Sequence, residues 1–398
     1  MTRVLRTAAC ALVAAAISAG CASLSQSPLT SWMTSIPTPS FAWLTGGDHK
    51  PGPLPTLNAT VTPRIDWQQS VGRAGPGFAP AVTASAIFAA AIDGTLMRVD
   101  TATGRVAWKA SAGRALSAGP GAGTSLVVVG TDKGEVLAFD AGQGSARWTS
   151  RVSSEVIAPP LVADDIVIVF SGDGRIYGLA AADGKTVWVD PRTNPPLTVR
   201  NAAGGVLLRG GLFIGTAGGQ LLAIDEQSGT IAWNGTVATP KGSTELERIA
   251  DVTSLPHVDD NEACAAAFQG RIACFDVRRG SLIWTRDISS LAGITADANR
   301  LYAVDDKGSV QAFDRSNGAS IWKQDVLSKR RIGGPQLIGD EIGVVDVEGY
   351  LHLLSRKDGA YVGRLATDGS LATTQPARLG GGMLWQSEKG TLFSVTAP

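Results

Sequence analysis

"DGTLMRVDTATGRVAW" (93–108) carries a Gly, an Asp, a second Gly and a Trp within sixteen residues. The same layout returns in "KGEVLAFDAGQGSARW" (133–148) and in "DGRIYGLAAADGKTVW" (173–188). A glycine followed two residues later by a β-favouring apolar residue occurs eight times, at spacings of 40, 40, 45, 51, 38, 41 and 41 residues. Such a period is typical of stacked structural repeats. The eight pairs are Gly94/Leu96, Gly134/Val136, Gly174/Ile176, Gly219/Leu221, Gly270/Ile272, Gly308/Val310, Gly349/Leu351 and Gly390/Leu392.

Each repeat has the pattern of short antiparallel strands. In the second one, "SLVVVGT" (125–131) and "EVLAFD" (135–140) flank a turn that suits a hairpin with a left-handed glycine. Another glycine four residues after Asp140 indicates a second turn, and a strand with Trp148 follows it. With a preceding short strand, each repeat holds about four strands, which is the content of a propeller blade. The sequence therefore predicts an all-β, eight-bladed β-propeller of four-stranded antiparallel blades.

The two ends of the chain predict how the ring closes. The eighth copy, "KGTLFSVTAP" (389–398), stops after its third strand, whereas "RIDW" (64–67) matches "RVAW" (105–108) of the first copy. An N-terminal strand that completes the last blade would leave no open sheet edge at the closure. Gly363 takes the tryptophan position of the seventh copy, so we expect a different packing at that interface. The tryptophans expected to pack between blades are Trp67, Trp108, Trp148, Trp188, Trp233, Trp284 and Trp322.

The first residues have the composition of a targeting segment. "MTRVLRTAACALVAAAISAGC" (1–21) is basic and then apolar, which is typical of an export signal and too short to span a bilayer. Its last four residues resemble the lipobox of bacterial lipoproteins, which implies a lipid on Cys21, and Ala22 favours the outer membrane. The segment that follows is rich in Ser, Thr, Pro and Gly and has the composition of a tether. The predicted organisation is a signal peptide over 1–20, the lipidated cysteine and flexible tether over 21–60, and the propeller over 61–398.

Composition and motifs argue against several classes of function. The 35 basic residues are matched by 35 acidic ones, and no basic patch with interleaved aromatics suggests nucleic-acid binding. His49, His257 and His352 are the only histidines, and their separate places predict no shared metal site. We find no catalytic triad, phosphate loop or paired-carboxylate motif, so we expect a protein that is not an enzyme and holds no cofactor.

Cys264 and Cys274 flank the expected turn of the fifth repeat. If residues 268–270 form that turn, the two cysteines lie opposite each other in a non-hydrogen-bonded pair, where side chains approach closely. The periplasm is oxidising, so we predict a cross-strand disulfide. Two small buried thiols are the alternative, because a shift of one residue in register would separate them.

The repeats resemble the tryptophan-docking blades of quinoprotein alcohol dehydrogenases, and they are still more similar to the BamB family. Members of this family are the lipoprotein subunit of the machinery that assembles β-barrels in the outer membrane. The stretches "GSTELERIADV" (242–252) and "EGYLHLL" (348–354) add to the resemblance, which runs from the signal to the C-terminus. It implies a non-catalytic scaffold on the periplasmic face of the outer membrane. The partners implied are a POTRA domain of the barrel subunit BamA and nascent outer-membrane proteins.

The same resemblance implies which residues contact the partner. Leu197, Val199 and Arg200 match the family's Leu-x-Leu-Arg pattern, and Asp251 matches the first of two family aspartates, whereas Thr253 replaces the second. The repeat spacing swells to 45 and 51 residues at these two places, which indicates longer connections between blades. Loops grafted on a rigid scaffold often carry function, so we predict a docking surface there.

Two other functions remain open from the sequence. A quinoprotein-like dehydrogenase would need a funnel site with calcium, acidic ligands and a catalytic Asp. A periplasmic propeller that binds sugar or peptidoglycan is the third interpretation.

Overall fold

The computed structural model describes residues 50–199 and 204–398. Within these ranges it contains eight four-stranded antiparallel sheets, each one a blade. The prediction of an all-β, eight-bladed propeller is therefore confirmed. No helix in the described ranges is long and apolar enough to cross a membrane. Cys21 and Arg200 lie outside the described residues.

In each of the first four blades the innermost strand comes first and the outermost strand last. The innermost strands are short, and the two central strands are almost wholly buried. The strands are β2 Ala81–Val82, β3 Ile87–Ala90, β4 Thr95–Val99 and β5 Val106–Ser111 in blade 1; β6 Gly121–Ala122, β7 Leu126–Gly130, β8 Glu135–Asp140 and β9 Ala146–Arg151 in blade 2; β10 Leu161–Val162, β11 Ile166–Phe170, β12 Ile176–Ala180 and β13 Thr186–Asp190 in blade 3; and β14 Gly205–Leu208, β15 Gly211–Gly215, β16 Gln220–Asp225 and β17 Ile231–Thr236 in blade 4.

Blades 5 to 7 repeat this order, and blade 8 takes its outermost strand from the N-terminal part of the chain. The strands are β18 His257–Val258, β19 Glu262–Ala266, β20 Ile272–Asp276 and β21 Leu282–Arg286 in blade 5; β22 Gly293–Ala296, β23 Arg300–Val304, β24 Val310–Asp314 and β25 Ser320–Gln324 in blade 6; β26 Gln336–Ile338, β27 Glu341–Val345, β28 Tyr350–Ser355 and β29 Tyr361–Ala366 in blade 7; and β30 Ala377–Leu379, β31 Gly382–Gln386, β32 Thr391–Thr396 and β1 Arg64–Ser70 in blade 8.

The ring closes through β1, as the sequence predicted. β1 pairs antiparallel with β32, from Arg64 opposite Thr396 to Ser70 opposite Thr391. The register shifts between Ile65 and Trp67, which marks a β-bulge at the tryptophan. The first strand of the described residues thereby becomes the outer edge of the last blade.

Each of the seven tryptophans lies against the next blade. The Trp67 indole Nε1 donates to the Thr101 carbonyl at 3.1 Å, and the ring covers Gly104, whose φ is +69°. A Cβ on Gly104 would lie 2.6 Å from the indole, so only glycine fits beneath the ring. The other six indoles make the same hydrogen bond, from Trp108 to Ala141, Trp148 to Ala181, Trp188 to Glu226, Trp233 to Val277, Trp284 to Arg315 and Trp322 to Arg356.

Blade 7 has no tryptophan on its outer strand, β29. The residues that precede β1 in the sequence pack against that strand instead. The amides of Thr60 and Val61 donate to the Val362 carbonyl at 2.9 and 3.1 Å. The compact unit begins at Pro51. It therefore begins ten residues before residue 61, where the sequence had placed the start of the propeller.

The connections between blades lie on the same face of the ring as the hairpins that join the second and third strands. In blade 1, for example, the amides of Ala112 and Leu116 donate to the carbonyls of Gly94 and Ile92 at 2.8 and 3.0 Å. We call this side the connection face. The turns between third and fourth strands, which carry the glycines beneath the tryptophans, lie on the opposite face.

Candidate functional site

Of the residues expected to contact a partner, Leu197 and Val199 lie in the connection between β13 and β14, on the connection face. We call residues 197–200 the docking segment. The Leu197 side chain is 45% exposed, and Val199 is half-buried. Asn194 fixes the start of this connection, because its Nδ2 donates to the Gly172 carbonyl at 3.2 Å.

Asp251 lies beneath the docking segment and not on the surface. It is only 2% exposed, and its two carboxylate oxygens accept hydrogen bonds from the amides of Val199 at 2.6 Å and Gly218 at 2.8 Å. Burial raises the pKa of this carboxyl, although the two amide hydrogen bonds act in the opposite direction. The resemblance implied that Asp251 touches the partner. In this structure its buried carboxylate holds the backbone of the segment, since it accepts hydrogen bonds from Val199 and from Gly218 in the hairpin between β15 and β16.

A cavity of about 140 Å³ opens beside the docking segment, between blades 3 and 4. Its deep wall is formed by the buried side chains of Phe170, Ile176 and Ile214, and Val199 lines it from the segment. Arg192, paired with Asp190 of β13, stands at its polar side. The cavity suits an apolar side chain flanked by polar groups, which is the pattern of an interface anchor. No local pattern in the sequence marks these cavity residues, because two blades and the connections beside them bring them together.

The longer connection after blade 4 is exposed and of mixed charge. The Glu247 carboxylate accepts from the amides of Ser243 at 2.8 Å and Thr244 at 3.1 Å. Thr253, which replaces the second family aspartate, donates to the Ser290 carbonyl at 3.4 Å. This residue therefore bridges towards the connection between blades 5 and 6.

The two described histidines lie apart. His352 is fully buried, with Nε2 at 2.8 Å from Asp346 Oδ2 and Nδ1 at 2.8 Å from the Tyr361 hydroxyl. Burial lowers the pKa of His257, which lies on β18 in blade 5. In the described ranges, the one set of His, Cys, Asp and Glu side chains close enough to share a metal ion is Glu262 with Cys264 and Cys274.

Those two cysteines are joined by a disulfide. Cys264 on β19 stands opposite Cys274 on β20, with 4.0 Å between their Cα atoms. Both residues are fully buried, and Cys274 in turn pairs with Trp284 on β21. The disulfide therefore lies within the core of blade 5, next to the strand that carries the inter-blade tryptophan Trp284.

Replacing both cysteines by alanine should lower the free energy of unfolding by about 2–3 kcal/mol, because a bond that closes a short loop restricts the unfolded chain. Urea unfolding of the oxidised protein and of the Cys264→Ala, Cys274→Ala variant measures the difference. Thiol titration of the denatured, unreduced protein is the companion assay. Titration of both sulfurs as free thiols would show that the bond does not form.

A sequence model described as outer membrane protein assembly factor BamB matches residues 64–324. The protein of that name from Bordetella pertussis is 41% identical over 351 residues, which cover 88% of this chain and 91% of that one. The chain belongs to the BamB family. The BamB of Pseudomonas aeruginosa is 43% identical over 87% of this chain and 92% of that protein.

Solved structures agree with the assignment to the BamB family. The crystal structure of BamB from Moraxella catarrhalis superposes with a TM-score of 0.77 at 29% identity, covering 84% of this chain and 99% of that one. A quinohemoprotein alcohol dehydrogenase from Comamonas testosteroni gives a TM-score of 0.64 at 13% identity, over 84% of this chain and 76% of that one. The second likeness shows the propeller fold alone.

Proposed function

We propose that this protein is a non-catalytic scaffold lipoprotein that assists the folding and insertion of outer-membrane proteins. A lipid on Cys21 holds it at the periplasmic face of the outer membrane. The names of its BamB relatives support the role, and the export signal with its lipobox-like end supports the location. The role requires protein partners and no cofactor.

In this proposal the connection face docks on a POTRA domain of a BamA-like barrel subunit. The observation that carries it is an exposed leucine on a fixed backbone: Leu197 is 45% exposed, while the neighbouring Val199 amide is tied to buried Asp251. A segment that is already ordered loses little conformational entropy on binding. The adjacent cavity between blades 3 and 4 accepts an apolar side chain of the partner. Nascent outer-membrane proteins are a second class of ligand for the same scaffold.

Substitutions in the docking segment test this assignment. Leu197→Asp and Arg200→Glu should each lower recovery of the barrel subunit at least about tenfold, which corresponds to about 1.4 kcal/mol. The measurement is co-purification with the tagged, lipidated protein from detergent-solubilised outer membranes. Arg200 is included because the family pattern and the frequency of arginine at interface hot spots both point to it.

Leu282→Asp provides the matched control. Leu282 is 54% exposed on the outer strand of blade 5, so the change has the same chemistry at a similar exposure away from the docking segment. Its recovery should equal that of the unchanged protein. Full recovery with both Leu197→Asp and Arg200→Glu would refute the assigned surface.

A further inference from the structure

Residues 51–61 form an ordered strap along the outer edge of blade 7. At one end the Gly52 amide donates to the Lys329 carbonyl at 2.9 Å. At the other end the amides of Thr60 and Val61 bond the Val362 carbonyl on β29. Between them, Arg364 Nη1 on the same strand donates to the Pro55 carbonyl at 3.3 Å. The strap therefore crosses the blade from one face of the ring to the other.

Gly363 makes room for the strap. A Cβ at this position would lie 2.7 Å from the Val61 carbonyl oxygen, which is closer than such atoms approach. In the other repeats this position holds a tryptophan, but here the backbone of the strap lies where a side chain would start. Val61 and Ile65 instead join the core that blades 7 and 8 share. The glycine of the seventh repeat is thus explained by its contact with the strap.

A cluster of buried charged side chains holds the Gly52 end of the strap. Arg330 is 2% exposed, and its Nη1 donates to the Gly52 carbonyl at 2.5 Å. The same guanidinium bonds Asp346, at 2.9 Å from Nε, and Glu348, at 2.5 Å from Nη2. Asp346 also bonds buried His352. Detaching the strap would remove a hydrogen-bond partner from buried Arg330, which is costly in an ionic cluster. This end of the strap is therefore held firmly.

The firmly held end lies on the connection face. Lys329 and Arg330 belong to the connection between β25 and β26, whereas the docking segment belongs to the connection between β13 and β14. Both connections lie on one face, and three blades separate them around a ring of eight. The chain that leads towards residue 50 therefore leaves the ring on the face that carries the docking segment, far from that segment across the ring.

We infer that the strap fixes the exit point of the N-terminal tether on the connection face, so that the lipid anchor and the docked partner hold the ring from the same side. This inference rests on the proposed function. An anchor raises the effective concentration of a partner in the same membrane only where its geometry allows both attachments at once. Without the strap, the chain would leave near β1 on the opposite face. That displacement is about 20 Å, the length of a six-residue strand.

Gly363→Ala tests whether the strap depends on this close approach. The added methyl group must displace the Val61 carbonyl, so amide hydrogen exchange in peptides covering residues 52–63 should accelerate at least about tenfold. Gly381→Ala is the control, since a Cβ there meets nothing within 4 Å. Arg364→Gln, which removes the contact with Pro55, is the second variant in case Gly363→Ala does not fold. Unchanged exchange in the folded variants would overturn the strap's role.

Partner recovery tests the consequence for anchoring. In the lipidated protein, Gly363→Ala should lower co-purification of the barrel subunit on the order of threefold, because the anchor would then reach the ring from the wrong face. In an unlipidated Cys21→Ser background, the same change should have no effect. Equal recovery of the lipidated variant and parent, despite faster exchange, would overturn the inference. Failure of the proposed function is distinguishable, since Leu197→Asp would then leave recovery unchanged in both backgrounds.

Discussion

Trp67→Ala should lower the free energy of unfolding by about 3 kcal/mol, the lower end of the cost of removing a large aromatic side chain, because Trp67 is half-buried. The indole fills the junction of blades 8 and 1, where it lies on Gly104 and donates to the Thr101 carbonyl at 3.1 Å. Its strand, β1, is also the one that completes blade 8. Loss of the ring therefore weakens the junction at which the two ends of the propeller meet. Equilibrium urea unfolding followed by circular dichroism measures the effect.

Two further variants separate the contributions at this junction. Trp67→Phe keeps an aromatic ring but loses the Nε1 donor, so we expect a smaller loss than for alanine. Val106→Ala is the control, because Val106 also lies on an outer strand but is 41% exposed. A loss below about 1 kcal/mol for Trp67→Ala would contradict closure through this residue.

The architecture could be predicted because its determinants are local and repeated. Each blade has its own hairpin glycine, and seven of the eight have a tryptophan on the outer strand, so the number of blades follows from counting. Even the closure could be predicted, since "RIDW" (64–67) supplies the element that the last repeat lacks. The register that brings Cys264 opposite Cys274 also depends only on the length of one turn.

The strap could not be predicted from local composition. Pro, Gly and Thr between residues 51 and 60 have the composition of a linker, and the segment is ordered by residues about three hundred positions away. The one local signal was negative, namely glycine at position 363 where the other repeats have tryptophan. That substitution indicated a different interface but not what fills it.

The role of Asp251 was likewise hidden. The family pattern marks the residue, but a pattern cannot tell a side chain that touches a partner from one that holds the backbone of a neighbouring loop. Its hydrogen bond to Val199 joins positions 52 residues apart, through a contact between two connections. Burial, which favours the second role, arises only when blades 3, 4 and 5 pack side by side.

Asp251→Ala should therefore reduce docking by releasing the backbone of the docking segment. Removal of the side chain leaves the half-buried amides of Val199 and Gly218 without their acceptors, at about 1–3 kcal/mol for each donor. We expect a loss of stability of about 2–5 kcal/mol and at least a tenfold lower recovery of the barrel subunit, with Leu197 intact. Asp251→Asn should not restore docking, because its amide nitrogen would face one of two N–H donors.

Hydrogen exchange separates this positioning role from general destabilisation. In Asp251→Ala the Val199 amide should lose protection, while amides of blades 1 and 7 keep theirs under conditions where the protein stays folded. Thr253→Ala is the matched control in the same connection, because it gives up only the 3.4 Å contact with the Ser290 carbonyl. If Asp251→Ala recovers the partner as well as Thr253→Ala does, the buried carboxylate does not position the docking segment. Loss of recovery with protection retained at Val199 would instead indicate that Asp251 acts on the partner directly.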